Sequence, residues 1–353
     1  MKNFKKLCMF ASVTTLLTAC GTTTSNESTT GSSTEEIDYS QEIVIYSNST
    51  TDGRGEWLKE QASEKGFNIS YVDISGGELA DRLIAEKNNS IADMVFGLNN
   101  LEFNRIKDEG LLVKYSPEWI GEVDSSLGDS DGYYHPLVVQ PLVLIGNSKV
   151  DMPSDWTDLT KDSYKGTYGI SALSTGTSKN IFASIVSRYA DENGDLGISD
   201  EGWEVAKKYI QNAHTYAQGE DYISALIDDS NPLNYSMMWG SGVLQNEAER
   251  GYKFQIMSPK VGVPYVTEQI GILSTSKKEA LVKEFINWFG SADVQKAWSD
   301  EFGSIPANKT ALEGAKAEIK EFASSVKPQE LDWEFIGENI NSWVEKAELE
   351  FVE

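Results

Sequence analysis

Acidic residues dominate the charge of this 353-residue chain. It contains 55 Asp and Glu against 30 Lys and Arg, so its formal net charge is −25 at pH 7. Affinity for a phosphate backbone needs clusters of Lys and Arg, so this composition argues against a nucleic-acid partner. The two cysteines, Cys8 and Cys20, both fall within the first 20 residues. The rest of the chain therefore has no disulfide, no thiolate metal site and no cysteine nucleophile.

The first 19 residues have the layout of an export signal. Lys2, Lys5 and Lys6 precede an apolar run over residues 7–17, which is too short to cross a bilayer as a helix. The letters LTAC at residues 17–20 resemble the lipobox of bacterial lipoproteins, in which the cysteine becomes the new N-terminus and carries the lipid. We expect residues 1–19 to be a lipoprotein signal peptide and Cys20 to be the lipidation site, acylated with palmitate.

Residues 20–40 predict a flexible tether. They are rich in Ser, Thr and Gly and nearly free of apolar side chains, so they cannot bury enough surface to fold. The folded part then begins near Glu42 and is about 310 residues long, which is enough for two lobes.

The first part of the folded region alternates strands and helices. Strands are predicted at residues 42–50, 67–75 and 92–100, and helices at residues 53–66, 76–90 and 102–115. This alternation predicts an α/β fold with a parallel sheet and right-handed crossovers. Ligands of such sheets bind outside the carboxyl ends of the strands.

Residues 132–149 predict a long strand that passes from one lobe to the next, broken by Pro136 and Pro141. The second lobe should then contain a strand at 166–171, helices from about 174, at 201–217 and at 220–228, and a strand running into a loop at 233–242. We expect residues 41–137 and about 270–300 to form lobe 1. Residues 138–269 should form lobe 2, with the chain returning through the hinge at 265–273 and helices over 301–353 packing on lobe 2.

Small polar residues follow two of the first-lobe strands. Ser47, Asn48 and Ser49 end the first strand, and Asn99 follows the third. The alternative is ordinary turn chemistry at a strand end. We expect these residues to bind a ligand because they lie on the ligand side of the sheet.

A hydroxyl-rich helix start at residues 172–181 is the second candidate site. One serine or threonine is enough to cap a helix, yet this segment has four hydroxyls, those of Ser174, Thr175, Thr177 and Ser178, around Gly176. The free N–H groups of a helix start suit an anion, and a glycine lets a ligand approach the backbone. The spacing is neither that of a P-loop nor that of a nucleophile elbow. An unusually rich cap remains the alternative.

The third candidate lies at a predicted strand end in the second lobe. Trp239 could form an apolar wall, while Gly240 and Ser241 could supply backbone donors, although a core tryptophan is the alternative. Tyr265 and Glu268 on the returning strand are further candidates. Glu268 is the carboxylate we expect to meet an ammonium group, if the ligand carries one.

An ordered series of segments resembles the extracellular solute-binding proteins of ABC importers, in the branch of ferric-iron, phosphonate, thiamine and polyamine receptors. The series covers Glu42 to about Lys309 and comprises IVIYSNST, GGELADRLIAEKNNSIADMVFG, EGLLVKYSPEW, DGYY, PSDWTDLTKDSYKGTYGIS, STGTS, INWFGSADVQKAW and GSIPANK. The resemblance implies a two-lobed periplasmic-binding-protein-like (type II) fold with a ligand cleft between the lobes. It also implies a small-molecule solute, ABC permease partners and a location on the outer face of the membrane.

The resemblance and the candidate residues leave the ligand open. A phosphonate, phosphorylated or other small anionic solute fits the helix start best, while aromatic residues and carboxylates would serve a polyamine or a thiamine-like cation. Ferric iron ranks third, because the adjacent tyrosines typical of iron receptors are replaced near Trp239 and Gly240.

Other classes of site are less well supported. An exported enzyme ranks last, because no Ser-His-Asp order and no zinc or kinase motif is visible. Residues 191–202 resemble a calcium loop, but Leu196 stands where an EF-hand needs glycine. We therefore expect a monomeric receptor without cofactor, metal or catalytic residues.

Overall fold

The computed structural model describes residues 37–217 and 219–352. The predicted signal peptide, the lipidation site at Cys20 and residues 20–36 of the predicted tether lie outside the described residues. The strands of the described part are β1 (Glu42–Ser47), β2 (Asn68–Asp73), β3 (Met94–Phe96), β4 (His135–Gly146), β5 (Tyr168–Ile170), β6 (Ala190–Asp195), β7 (His214–Thr215), β8 (Tyr235–Trp239), β9 (Gln255–Ile256), β10 (Tyr265–Ile272) and β11 (Ile305–Pro306).

Helices cover much of the rest of the described chain. They are α1 (Arg54–Lys65), α2 (Gly76–Ala85), α3 (Asn100–Asp108), α4 (Gly176–Val186), α5 (Asp200–Asn212), α6 (Tyr222–Ile227), α7 (Gly240–Arg250), α8 (Glu279–Phe289), α9 (Ala292–Phe302), α10 (Lys309–Gly314), α11 (Ala317–Ser325) and α12 (Trp333–Glu350).

The first three strands form the parallel βαβ unit that the sequence predicts. β1 lies between β2 and β3 and pairs with both in parallel register, and helices α1 and α2 make the crossovers. Ile43, Ile45 and Tyr46 of β1 are buried completely, while Val44 is partly buried. The strand leads directly into the polar segment that begins at Asn48, so burial of the strand fixes where this segment starts.

The sheet as a whole is mixed, because antiparallel strands follow the parallel unit. Its order is β2-β1-β3-β10-β4-β8-β5-β7, with β9 and β11 also paired to β4. β10 runs antiparallel to both β3 and β4. β8 is antiparallel to β4, whereas β5 is parallel to β8 and to β7.

The long strand β4 joins the two halves of this sheet. Its first half pairs with β10 as far as Pro141, and its second half pairs with β8 from Leu142 onward. All twelve residues of β4 are buried, which matches its apolar composition. Along β4, the pairing with β10 thus ends at Pro141 and the pairing with β8 begins at Leu142. The exact limits of the two lobes stay a prediction.

The C-terminal helices contact both halves of the chain. α9 packs its Trp298 edge-on against Trp57 of α1, with ring centroids 5.5 Å apart. α12 instead lies on α4, where Lys179 donates to Asn341 Oδ1 at 2.7 Å. The predicted packing of residues 301–353 on lobe 2 therefore stays a prediction whose clearest support is α12.

Two local expectations were wrong. We expected a loop after the strand that ends near Trp239, but the chain passes directly from β8 into helix α7 at Gly240. The predicted strand at residues 92–100 is also shorter than expected, since β3 ends at Phe96 and the side chain of Asn99 caps α3 by accepting from the N–H of Glu102 at 3.1 Å. Helix α7 begins immediately after β8, whereas three residues separate β3 from α3, and the last of these, Asn99, has a capping role.

Candidate functional site

A cavity of about 390 Å³ lies where β1 and β3 end, beside the paired strands β4 and β10, and where α4 and α7 begin. Its volume is in the range of small-molecule sites. Its described lining residues are Asn48, Ser49, Thr51, Asp52, Arg54, Gly97, Asn99, Gln140, Leu142, Ser171, Thr175, Gly176, Thr177, Ser178, Asn180, Tyr222, Met237, Trp239, Ser241, Val266 and Glu268.

The first wall is the segment that follows β1. The N–H of Ser49 donates to Ser47 Oγ at 2.9 Å, which turns the chain toward the cavity. The carbonyl oxygen Oδ1 of Asn48 is buried and has no hydrogen-bond partner among the described residues. Gly97 lies beside this segment with φ of +102°, and a side chain there would clash with Ser49 Oγ. The close approach of the two segments therefore requires glycine.

The second wall is the N-terminus of α4. Thr175 is the N-cap residue, but its side chain caps no N–H group of the helix and donates instead to the carbonyl of Ala172 at 2.8 Å. The first turn of a helix has N–H groups without partners inside the helix. The Thr175 side chain does not satisfy these N–H groups of α4, and the first residues of the helix line the cavity.

Two buried side chains near this helix start have unpaired oxygens. Ser178 is 1% exposed, and its hydroxyl has no partner among the described residues. Asn180 is 4% exposed; its amide nitrogen donates to the carbonyl of Gly176 at 2.8 Å, and its Oδ1 is unpaired. Buried polar atoms in proteins are normally hydrogen-bonded, so unpaired atoms that line a cavity indicate a place for a bound molecule.

The start of α7 differs from that of α4, because a side chain from β4 caps it. The Oε1 of Gln140 accepts from the N–H of Ser241 at 3.1 Å. Trp239, the residue before the helix, is 37% exposed and lines the cavity. Its ring lies over Gly242, where a side chain would meet the indole at 2.8 Å. Trp239 thus supplies an apolar wall rather than packing in the core.

Glu268 places a carboxylate in the cavity wall. The amide of Gln140 donates to Glu268 Oε1 at 2.8 Å and to the hydroxyl of Ser241 at 3.2 Å. Burial raises the pKa of Glu268, while hydrogen bonds from Gln140 and Ser49 and the charge of Arg54 lower it. Burial is the largest of these causes, so the net shift is upward.

Arg54 is the cation of the cavity, and it is held by residues from both halves of the chain. It is 9% exposed, forms an ion pair with Asp52 at 3.4 Å and donates to Gln245 of α7 at 3.0 Å. Its guanidinium also lies 5.1 Å from the ring centroid of Phe302. These contacts fix its position and occupy part of its donor capacity.

Most of the predicted ligand-binding residues line this one cavity, although they come from five separate segments. They are Asn48, Ser49, Asn99, Thr175, Gly176, Thr177, Ser178, Trp239, Ser241 and Glu268. Contact of these residues with a ligand stays a prediction.

Four predicted residues lie outside the lining: Ser47, Ser174, Gly240 and Tyr265. Ser47 is buried beneath the loop, and Ser174 is exposed. Gly240 instead allows close packing, since a side chain there would meet Pro141 at 2.8 Å. Tyr265 lines a neighbouring cavity of about 450 Å³ and donates to the carbonyl of Val326 at 3.2 Å.

Several lining residues were not among the predicted ligand contacts. Gln140 interrupts an apolar strand, and a lone polar residue in such a run is a signal that could have been used. Arg54 is the first residue of α1 and lies close in sequence to the first loop. Asn180 and Tyr222 lie within helices, and their sequence neighbours give no indication of the cavity.

The described residues contain neither a cluster of metal ligands nor a helix that could span a membrane. In residues 37–217 and 219–352, no three or more His, Cys, Asp or Glu side chains are grouped as metal ligands. Within the same part of the chain, no helix is both long enough and apolar enough to span a bilayer.

Comparison with known proteins gives consistent results. Residues 56–324 match the family described as bacterial extracellular solute-binding protein. The chain is 33% identical over 301 residues to the probable ABC transporter periplasmic-binding protein y4fP of Sinorhizobium fredii, covering 84% of this chain and 83% of that protein. It is 24% identical over 283 residues to a putative 2-aminoethylphosphonate-binding periplasmic protein of Salmonella typhi, and the match covers 75% of this chain and 78% of that protein.

A solved structure establishes the fold. The ferric binding protein from Campylobacter jejuni superposes with a TM-score of 0.73 at 22% identity, over 87% of this chain and 98% of that one. The predicted two-lobed periplasmic-binding-protein-like α/β fold is therefore confirmed. Proteins of this class bind solutes and are not enzymes. The chain belongs to the bacterial extracellular solute-binding proteins, as the solute-binding component of an ABC importer.

Proposed function

We propose that this receptor captures a small organic solute with an oxyanion head group, of the phosphonate or phosphate-ester class, and delivers it to its ABC permease. Lobe 1, comprising residues 41–137 and about 270–300, and lobe 2, comprising residues 138–269, would close around the solute. Closure of two lobes supplies donors from both sides and excludes water.

The uncapped start of α4 is the observation that carries this proposal. A helix N-terminus carries partial positive charge, and its free N–H groups point at whatever lies before the helix. The buried, unpaired hydroxyl of Ser178 adds a donor in the same cavity wall. Neutral donors of this kind bind a phosphate-like group without an arginine. The relative from Salmonella typhi, with its phosphonate-binding name, supports the same class.

Ferric iron fits the lining less well, although iron-binding proteins share the fold. Of the lining residues, Asp52, Tyr222 and Glu268 carry acidic oxygens. Asp52 is already paired with Arg54, and burial raises the pKa of Tyr222, which disfavours the phenolate that hard ferric iron prefers. The oxyanion class therefore has the stronger support.

Attachment to the membrane is a separate part of the proposal. The lipobox-like segment at residues 17–20 supports removal of residues 1–19 and acylation of Cys20 with fatty acids such as palmitate. The receptor would then remain on the outer face of the membrane as a tethered monomer. Mass spectrometry of the N-terminal peptide tests this, since an unmodified Cys20 in membrane-bound protein would contradict it.

Isothermal titration calorimetry of the purified protein tests the solute class. We expect ethylphosphonate to bind at one equivalent, and ferric citrate and spermidine to bind more weakly. Replacement of Ser178 with Ala should weaken ethylphosphonate binding without lowering the melting temperature. Tighter binding of ferric citrate or spermidine than of ethylphosphonate would overturn the proposed class.

A further inference from the structure

The charges of the cavity do not match a purely anionic solute. Its described lining contains one cation, Arg54, and two carboxylates, those of Asp52 and Glu268. Arg54 is already paired with Asp52. A dianionic solute would therefore meet an unneutralised carboxylate at Glu268, which costs free energy in a partly desolvated site.

Glu268 forms no ion pair within the part of the chain that the structure describes, and the charge of Arg54 acts on it only from a longer distance. Its hydrogen bond at 2.8 Å comes from the neutral amide of Gln140. Buried carboxylates are normally paired with a cation or bound to a metal, because removing an isolated charge from water is expensive. This carboxylate is partly exposed, and the cavity is what it faces.

Gln140 holds the carboxylate in place. Its oxygen caps α7 at Ser241, which fixes the amide orientation so that its nitrogen faces Glu268. Glu268 itself lies on β10, where it pairs with Val138 of β4, and not on a surface loop. A carboxylate fixed in this way suits recognition of a defined group better than solvation alone.

We infer that the solute is a zwitterion, with its oxyanion at the start of α4 and a protonated amine at the carboxylate of Glu268. The inference rests on the proposed function and names the chemical class of the solute more closely as an aminoalkyl phosphonate or phosphate ester. The ammonium would replace the missing cation partner of Glu268, and the rest of the solute would lie against Trp239. A cavity of about 390 Å³ admits a molecule of this size.

The test compares two probes that differ only in the amine, 2-aminoethylphosphonate and ethylphosphonate, by calorimetry on the full chain. We expect the amine to improve affinity about 10- to 100-fold in the unmodified protein, as for hydrogen bonds to charged groups. In Glu268→Gln the two affinities should agree within about threefold, because a neutral amide cannot pair with the ammonium. Glu60→Gln, which changes an exposed carboxylate of α1, is the matched control and should keep the full ratio.

The outcomes separate the two proposals. Equal affinity of both probes in the unmodified protein would overturn the zwitterion but leave the oxyanion class intact. Retention of the ratio in Glu268→Gln would overturn the assignment to Glu268. If neither probe binds, the proposed function fails, and this inference fails with it. If Glu268→Gln does not fold, the probe ratio in the unmodified protein, with 3-aminopropylphosphonate as a third probe, still tests the amine.

Discussion

Gln140 and Glu268 join the two halves of the protein beneath the cavity. The Gln140 amide donates to Glu268 Oε1 at 2.8 Å, and its oxygen accepts from the N–H of Ser241 at 3.1 Å. One side chain thus connects the β10 strand to the first turn of α7. Glu268 is therefore linked through Gln140 to the start of α7.

Replacement of Gln140 with Leu should destabilise the protein. It removes one of the hydrogen bonds to Glu268 and the cap of α7, so the N–H of Ser241 loses its partner. The free energy of unfolding should fall by about 1–3 kcal/mol, the usual cost of unpaired buried polar groups. Urea denaturation followed by circular dichroism measures this. A change below about 0.5 kcal/mol would show that water replaces both bonds.

Replacement of Ser178 with Ala should separate ligand binding from stability. The Ser178 hydroxyl has no protein partner among the described residues, so its removal should leave the melting temperature unchanged. Affinity for 2-aminoethylphosphonate should fall by a factor that corresponds to about 0.5–3 kcal/mol for one hydrogen bond. Thr175→Ala is the comparison, because that hydroxyl already donates to Ala172. Unchanged affinity in both variants would mean that this segment only begins a helix.

Replacement of Gly176 with Ala should weaken binding without harming the fold. A methyl group at this position would meet no described atom within 4 Å, and the residue begins a helix. Alanine is the better helix former, so stability should be retained or slightly increased. The methyl group would occupy space beside the free N–H groups and reduce affinity for the oxyanion. Calorimetry and thermal denaturation on the same sample measure the two effects, and unchanged affinity would contradict close approach of the solute.

Replacement of Gly97 with Ala should have the opposite effect on stability. Gly97 has φ of +102°, and a side chain there would clash with the loop at Ser49. We expect a loss of about 1–3 kcal/mol in the free energy of unfolding, together with loss of binding. Gly77→Ala in α2 is the matched control, because that position is open and its φ is not positive. Equal stability of the two variants would show that the loop moves without cost.

The pH dependence of stability should report the state of Glu268. Its pKa in the folded protein is raised above the ordinary value of 4.5, mainly by burial. The folded state therefore holds this proton more tightly than the unfolded state, and its contribution to stability is lost as pH rises through the folded pKa. The Glu268→Gln variant has no titrating group at this position, so its stability lacks this pH-dependent contribution. The stability of the variant relative to the unmodified protein should increase from pH 4 to pH 7, and urea titrations at both ends of that range measure it.

The elements of the fold follow from local patterns. Apolar runs that end in small polar residues predict β1 and β3, and helical spacing of apolar residues predicts α1, α2 and α5, although α2 and α5 each end five residues before the predicted bound. The start of α7 was missed, because Gly240 to Gly242 read as a loop. These glycines and Ser241 form the first turn of a helix whose cap, Gln140, comes from a strand 100 residues earlier.

The sequence by itself determined the α/β class, the crossing strand, and the polar segments after β1 and before α4, because each depends on residues close together in the chain. Only the tertiary structure decided which of them share a cavity. In the tertiary structure Ser47 is buried beneath the loop that follows β1, and Tyr265 lines the neighbouring cavity. The tertiary structure also brought Gln140, Arg54 and Asn180 beside Glu268 and Ser178. The unpaired charge of Glu268 likewise depends on strand pairing and burial, which bring distant residues together and which no local pattern encodes.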